Sequence, residues 1–474
     1  MKRDLPYDNR DKESIVNYAK KLIGKSLRSA CAVTPEDIKQ FSGKGTFGQT
    51  LEKYYFGYDP NSEARPDFPE AGLELKSTPL KKLKTSHFSA KERLVLGLID
   101  YMAIVDQSFE SSSFWQKNAH LLLVFYLHEQ NKEFWDYIIH IVDEWSFSPE
   151  DIEIIRKDWE FIQSKVIAGR AHELTEGDTF YLGACPKGQN SNSLRVQPNS
   201  SEKAMQRAFS FKASYVNHII ASIVDAADER YGKKLPRPVS SVVKDKKMIP
   251  LLQAGKIESI EDAIVAKYAK YYGKTIAEIQ KSLQIELNKG SKQFYSLLST
   301  QIQRYEEIDK AGIIVKTVVL PEGDKPPKEN MSFPAFQYED FVTEEWETSK
   351  FKELLECKFL FVFFQRDGDA VLLRKVKIWN MPYSDICEAK KVWDRTKQVI
   401  LNGNIVKDIS INGRRKTNFP GMSFNRVAHV RPHAITINDT YPLPVRDKLT
   451  KADRYSKHAF WLNNNYILSI YNSK

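Results

Sequence analysis

One ordered set of short motifs occurs twice along this 474-residue chain. Ala71–Ser77 reads AGLELKS and Ala311–Thr317 reads AGIIVKT. Upstream, IVNYAKKLIGKS from Ile15 matches IVAKYAKYYGKT from Ile264, and Lys44-Gly45 is echoed by Lys289-Gly290. Downstream, Trp159 and Gly169 stand ten residues apart, as do Trp393 and Gly403, and Pro186-Lys187 is answered by Pro432-His433. Repetition in a constant order means one folding unit used twice, in a chain past the length at which a single core stops growing. Between the copies, the polar, proline-bearing run DAADERYGKKLPRPVSSVVKDKKMIP from Asp225 to Pro250 reads as a linker. The layout is therefore a first domain at 1–230, a linker at 231–250 and a second domain at 251–474. Each domain is expected to be a mixed α/β unit with a central sheet flanked by helices.

The copies are not equivalent. Aligned on Ala-Gly, Glu74 becomes Ile314 while Lys76 persists as Lys316; aligned on Lys-Gly, Glu52 becomes Leu297. If these carboxylates do chemistry, the first copy is the enzyme and the second is a copy that binds without catalysing.

The chemistry centres on EARPDFPEAGLELKSTP, residues 63–79. Leu73-Glu74-Leu75-Lys76 alternates apolar and charged residues as a half-buried strand does, so Glu74 and Lys76 share one face and the leucines the other. Pro79 is expected to end the strand. Asp67 lies close enough upstream to set a second carboxylate beside Glu74. Phosphodiester hydrolysis calls for such a set, because two carboxylates hold Mg²⁺, an ion that prefers oxygen ligands. A lysine two residues from the metal-binding Glu can then orient water or stabilise charge on the phosphate. A basic run follows, Lys81, Lys82, Lys84, Lys91 and Arg93, in a chain of net charge +10. That balance favours a polyanionic partner.

Asp67-x₆-Glu74-x-Lys76 followed by Ser-Thr-Pro resembles the active-site strand of the MutH family, which includes strand-nicking mismatch-repair endonucleases and restriction enzymes that cut GATC. Lys44-Gly45-x-x-Gly48-x-x-Leu51-Glu52 is similar to the family's helix with an additional acid. Lys91-x-x-x-Val95-Leu96 is similar to its second active-site lysine segment. Gly169, Tyr181-Leu182 and Pro186-Lys187 resemble the stretch leading into the base-reading loop, and Arg207-Ala-Phe-Ser-Phe-Lys212 resembles the segment that closes it, with Ser210 in place of the family's aromatic residue. The resemblance covers about Ile15 to Ala221. It implies a restriction-endonuclease-like fold, Mg²⁺ on Asp67 and Glu74, Lys76 and Lys91 at the reacting phosphate, and Glu52 at the metal or its water shell. It further implies duplex DNA cut at GATC to 5′-phosphate and 3′-hydroxyl ends. Lys44, Lys187, Arg207, Ser210 and Lys212 are the implied DNA contacts, with Arg431 and His433 in the duplicate. A methyltransferase acting on the same sites and a dimer on DNA are the implied partners. The alternatives are a strand-nicking repair nuclease and a DNA-binding regulator without catalysis.

Other signals are weaker. Cys31, Cys185, Cys357 and Cys387 form no zinc or disulfide pattern. Gly43–Thr50 has Gln49 where a phosphate loop needs lysine, so no nucleotide cofactor is expected. His120, His128 and His140 lie in apolar surroundings and read as structural, whereas His429 and His433 sit where the duplicate carries its reading loop. No apolar run reaches the ~20 residues that span a bilayer, and the polar start MKRDLPYDNRDKES carries no signal peptide, so a cytoplasmic protein without membrane contact is expected.

Overall fold

Apolar residues on both faces of a strand need cover on both sides, and HLLLVFYL at His120–Leu127 is such a strand. The structure is a computed structural model. It describes residues 5–31, 46–60, 63–83, 88–188, 192–231, 259–288, 294–302, 306–323, 325–411, 415–436 and 438–473. The first half contains β1 (Glu74–Lys82), β2 (Phe88–Ala90), β3 (Leu94–Leu98), β4 (His120–Leu127), β5 (Ile139–Ser146), β6 (Leu182–Pro186), β7 (Leu194–Arg195), β8 (Ala204–Met205) and β9 (Arg207–Phe211). They form a mixed sheet in the order β2-β1-β4-β5, an antiparallel sheet β3-β9-β6 and a small ribbon β7-β8. The second half contains β10 (Ile314–Leu320), β11 (Met331–Phe336), β12 (Phe359–Asp367), β13 (Ala370–Trp379), β14 (Val406–Ile409), β15 (Arg415–Thr417), β16 (Ala428–Pro432), β17 (Thr440–Pro442), β18 (Arg454–Ser456) and β19 (His458–Leu462). Its sheets are β10-β12-β13 and β11-β19-β16, with ribbons β14-β15 and β17-β18.

The repeat seen in sequence is a repeat in space. β1 runs parallel to β4 with Glu74 opposite Leu121 and Lys76 opposite Leu123. β10 runs parallel to β12 with Ile314 opposite Phe359 and Lys316 opposite Phe361. Gly24 donates its N–H to the Ile139 carbonyl and Gly273 to the Leu373 carbonyl, both at 2.8 Å, each beside a bridge, Ser26 to Ile138 and Thr275 to Leu372. The helices Pro149–Ile167 and Tyr383–Leu401 each have 19 residues and bury Trp159 and Trp393. In the first turn of each an aspartate accepts a tyrosine hydroxyl from a later helix, Tyr215 to Asp151 at 2.9 Å and Tyr466 to Asp385 at 2.7 Å.

Gly169 and Gly403 end those helices at φ of 70° and 57°. A Cβ on Gly169 would lie 2.6 Å from the Asn199 carbonyl oxygen, and one on Gly403 2.6 Å from that of Arg446. Left-handed backbone and this contact both forbid a side chain, which explains why the glycine recurs ten residues after the tryptophan. Gly169→Ala is therefore expected to destabilise the protein by ~2 kcal/mol or more, read as a lower denaturant midpoint with an unchanged slope.

β4 alternates between two cores. Leu121, Leu123 and Phe125 pack with Trp159 and Tyr215, while Leu122 and Val124 pack with Ile15, Val16 and Ala19 of the helix Lys12–Lys20. β12 repeats the division: Phe359, Phe361 and Phe363 pack with Trp393 and Tyr466, and Leu360 and Val362 with Ile264 of the helix Ile260–Ala269. This last cluster is continuous with the main core of the first half. Lys310 adds a buried ion pair across the halves, 3.0 Å from Asp151.

Three expectations change. β1 does not stop at Pro79 but runs to Lys82. Lys91 donates its backbone N–H to the Pro79 carbonyl at 2.9 Å, so the proline nitrogen faces the same side, just past the three residues of β2. Its missing donor falls where the ladder has ended. The polar run from Asp225 is helical as far as Tyr231, where it continues the helix Ala213–Tyr231; the rest of the linker, 232–250, lies outside the described residues. His120 is exposed at the start of β4, with its Nδ1 3.0 Å from Ser146 Oγ. Among the described residues no helix is long and apolar enough to cross a membrane.

Candidate active site

Asp67 and Glu74 are brought together by a tight turn. Phe68 and Leu73 exchange backbone hydrogen bonds of 3.0 and 3.2 Å, and Gly72 takes φ of 61° to close the turn between them. The residues flanking that pair therefore face each other. Asp67 N–H donates to Glu74 Oε2, and Leu75 N–H donates to Asp67 Oδ2, both at 3.0 Å. Each carboxylate is thus anchored through one oxygen. Asp67 keeps Oδ1, and Glu74 Oε1 receives the Lys76 ammonium, with Lys117 Nζ at 3.5 Å. Glu74 is 1% exposed. A carboxylate so deeply buried is costly unless cations face it, and here two do.

Lys117 lies on the helix Ser113–Asn118, which Ser112 caps by accepting the Trp115 N–H at 3.1 Å. That helix ends just before β4, and the β1–β4 register sets Leu121 opposite Glu74, so Lys117 arrives at the same sheet edge. Lys117 also donates to the Glu63 carbonyl at 2.8 Å, which fixes its reach.

The third carboxylate comes from the other side. Glu52 sits in a π-helical turn, Leu51–Phe56, a rare geometry that often marks functional positions. Gly48, one turn earlier, packs closely there: a Cβ would lie 3.3 Å from Ser77 Oγ, which would have to shift slightly, and 3.9 Å from Glu52 Oε1. Burial, and then the Asp67 charge, push the Glu52 carboxyl up to about 7. Burial raises Glu74 to about 7 as well, opposed by Lys76. The Tyr58 hydroxyl is buried beside Asp67, Glu52 and Glu74, and has no hydrogen-bond partner among the described residues.

Among the described residues no group of three or more His, Cys, Asp or Glu is already arranged around a metal position. The donors nonetheless fit a hard divalent cation. Glu52, Asp67 and Glu74 are all oxygen ligands, their charges disfavour one another, and Tyr58 leaves a buried polar atom unsatisfied at the same place. The two lysines meet Glu74 Oε1, the oxygen a cation would take.

The pH dependence follows from these shifts. Both glutamates have folded pKa values near 7 against an ordinary 4.5, so the folded protein holds protons that the unfolded chain releases. Their contribution to stability is therefore present at low pH and lost as pH rises from about 4.5 to about 7. Without divalent cations, stability is expected to fall by on the order of 1–3 kcal/mol between about pH 5 and pH 8. Mg²⁺ should reverse the loss, and Glu74→Gln should shrink it. Flat stability profiles for both proteins would contradict the assignment.

Other expected site residues fall elsewhere. Lys91 is not at the centre: its backbone meets Pro79, five residues beyond Glu74 and roughly 16 Å along the strand, and its Nζ is 3.5 Å from Glu92. Arg93 is tied to Glu176 and Glu353 and is not free for phosphate. Arg207 and Ser210 are buried in β9, the middle strand of its sheet. The Arg207 guanidinium donates to the Ala184 carbonyl at 2.7 Å, so in this conformation it braces β6 and does not reach a base. Lys212 is half-buried, donates to the Thr179 carbonyl at 2.5 Å, and is lowered to about 8 chiefly by desolvation. His429 is buried against Asn463, with Nδ1 2.6 Å from Oδ1, and is structural. Lys187, Arg431 and His433 are exposed. Lys44 lies outside the described residues.

The duplicate keeps the frame without counterparts to Glu74 and Glu52. Ile313 N–H bonds to the Ile308 carbonyl at 3.1 Å, Gly312 has φ of 65°, and the buried Glu307 stands where Asp67 does. Ile314 replaces Glu74, Leu297 is largely exposed, and Lys316 has no ion pair among the described residues. Burial alone lowers Lys316.

Known proteins resemble this chain. The family model for the DNA mismatch repair enzyme MutH matches residues 56–158, which hold Asp67, Glu74, Lys76 and Lys117. The type II restriction enzyme Sau3AI of Staphylococcus aureus is 37% identical over 500 aligned residues, covering 96% of this chain and 97% of that protein. The DNA mismatch repair protein MutH of Serratia proteamaculans is 27% identical over 228 residues, 46% of this chain and 95% of that protein. That of Yersinia pestis is 28% identical over 176 residues, 36% of this chain and 72% of that protein. With a relative this similar across nearly the whole of both chains, this protein belongs to the MutH-type endonuclease family, among its type II restriction enzymes.

Proposed function

We propose that this chain hydrolyses duplex DNA at GATC sites with Mg²⁺, cutting with residues 1–230, while residues 251–474, joined through 231–250, hold a second DNA site without cutting it. The observation that carries the reading is the convergence of Lys76 and Lys117 on one oxygen of Glu74, with Asp67 folded against the other, and the loss of Glu74 as Ile314 in the second copy. Asp67 Oδ1 and Glu74 Oε1 would hold the metal, with Glu52 at its water shell. Mg²⁺ bound there supplies Lewis-acid polarisation of the phosphoryl oxygen and an acidified water.

The protein groups do the rest. With a cation on Glu74 Oε1, the Lys76 ammonium would be available to orient the attacking water or to meet charge growing on the phosphate. Lys117, held by the Glu63 carbonyl, offers a second cation to the same phosphate. Deep burial of Glu74 strengthens each of these interactions. Lys187 is the exposed candidate for base reading in the first half, where the family resemblance also names Lys44 and Lys212. Arg431 and His433 are the candidates in the second half, where Arg431 lies over Trp461 at 5.0 Å. Specificity for GATC and a methyltransferase that protects the same sites follow from the family resemblance. So do a dimer on DNA and 5′-phosphate ends.

A strand-nicking repair enzyme is the weaker reading, because the MutH proteins match only 46% of this chain or less. The test is to incubate the purified protein with unmethylated plasmids carrying one or two GATC sites and Mg²⁺, and to sequence the ends. Cleavage of both strands at GATC, faster on the two-site plasmid, is expected. Nicks in one strand only, or cuts unrelated to GATC, would overturn the specificity; equal rates on both plasmids would overturn the second site.

A further inference from the structure

The two halves differ most after the matched glycines. From Gly169 the first half reaches β6 at Leu182 through two 3₁₀ turns, Ala171–Glu173 and Glu176–Asp178. From Gly403 the second half takes far longer to reach β16 at Ala428, and uses the extra length to build the β14–β15 ribbon. Asp408 pairs with Lys416 and Ile409 with Arg415 in that ribbon. Lys407, Arg415 and Lys416 are exposed, three cations against the single acid Asp408 among its described residues. Ile409 is largely exposed, and Ile411, just beyond β14, is fully exposed.

The ribbon leads onto β16, where Val430 N–H bonds to the Pro420 carbonyl at 2.8 Å and the exposed Arg431 follows. Val406 N–H bonds to Asp447 Oδ1 at 2.9 Å, which ties the ribbon's base to the body, and Asn418 N–H bonds to the Ile405 carbonyl at 2.9 Å, which closes the ribbon's own two ends together. The Arg415 guanidinium lies 6.0 Å over the Tyr455 ring, and Tyr455 stacks on His458 at 5.5 Å. Phe419, just past β15, packs on the same histidine at 4.9 Å. His458 pairs in register with Pro432, between Arg431 and His433. One buried histidine thus links the ribbon to the strand proposed to touch DNA.

We propose that the β14–β15 ribbon is a DNA-gripping wing of the second half, resting on the reading that this half binds duplex DNA. Lys407, Arg415 and Lys416 contact phosphates across a groove, and Ile411 serves as the apolar wedge that minor-groove binders use between base steps. Charge selects the occupant, since a second copy of this chain, of net charge +10, would be repelled by the same cations.

The test uses the full chain carrying Glu74→Gln, so that DNA survives, with a GATC duplex as probe. Binding stoichiometry and salt dependence are compared for three forms: this parent, a form with Lys407→Glu, Arg415→Glu and Lys416→Glu, and one with Ile411→Asp. Thermal unfolding serves as the folding control, and these exposed positions should leave it unchanged. The parent is expected to bind two duplexes. The charge-reversed form should lose on the order of 10–100-fold in affinity for the second, and the salt slope should fall by about 2–3 as three phosphate contacts disappear. Ile411→Asp should weaken the second duplex without changing the salt slope. If the second duplex binds all forms alike but is lost in Arg431→Ala, the wing is overturned and the second site stands. A parent that binds one duplex only overturns the second site and the wing with it. A parent that is dimeric by light scattering, and becomes monomeric in Ile411→Asp with DNA binding unaltered, overturns the wing in favour of self-association.

Discussion

Glu74→Gln is expected to lower the rate of DNA cleavage by about a thousandfold or more, while DNA binding measured without divalent cations stays within a few-fold of the parent. The amide keeps the size of the side chain and can still accept the Asp67 N–H that now ends on Glu74 Oε2 at 3.0 Å. It cannot carry the charge that faces Lys76 and Lys117 or bind a hard cation with carboxylate strength. Stability is no confounder, because the Glu74 carboxyl is raised to about 7 and is already partly neutral at that pH. The unfolding midpoint of the variant should therefore match the parent near neutral pH. Asp67→Asn should behave in the same way, since Asp67 is held by the Leu75 N–H through Oδ2 alone. Cleavage within tenfold of the parent in either variant would remove the carboxylate pair from the mechanism.

The second large effect separates two lysines. Lys117→Ala should reduce cleavage by about a hundredfold to a thousandfold, the cost of losing one well-placed charged donor, whereas Lys91→Ala should change it by no more than about tenfold. Lys117 Nζ stands 3.5 Å from Glu74 Oε1. Lys91 lies opposite Pro79 of β1, roughly 16 Å along that strand from Glu74, and pairs with its neighbour Glu92. Activity should be measured at saturating DNA, so that a loss of phosphate binding by Lys91 shows in KM and not in kcat. The reverse order of effects would mean that the strand register read here is not the one used in catalysis.

Much of the first carboxylate pair was legible before any fold was known. Alternation in Leu73-Glu74-Leu75-Lys76 put Glu74 and Lys76 on one face, and the structure has them paired. Asp67 was placed beside Glu74 by its closeness in sequence, and the turn at Pro69–Gly72 is what sets the two together. These are local relations, settled within a dozen residues. Lys117 was not legible, although it lies in the stretch SFWQKN just before an apolar strand. Nothing local says that β4 pairs with β1, or in which register, and only that register brings residue 117 to residue 74. Lys91 was misplaced for the same reason: its sequence surroundings match a motif, but the chain turns back to meet β1 at Pro79. Tyr58 is a further case, a hydroxyl that only the fold buries beside Glu52, Asp67 and Glu74 together.

Burial divides the rest. Arg207 and His429 look like DNA contacts in a list of polar residues, but β9 is the middle strand of its sheet and His429 is closed in by Asn463, which sequence cannot show. The duplication, by contrast, was determined by the sequence alone, because the motifs that persist mark positions where backbone geometry tolerates little else, such as Gly169 and Gly403 beneath a neighbouring carbonyl. Tertiary structure decided how the copies join: Lys310 pairs with Asp151, and the inner core of the second half runs on into the main core of the first. Strand alternation, turn composition and glycine spacing are fixed by nearest neighbours and survive in a string of letters. Which lysine faces Glu74, and which arginine is buried, depends on contacts between residues dozens or hundreds of positions apart, and those exist only once the chain has folded.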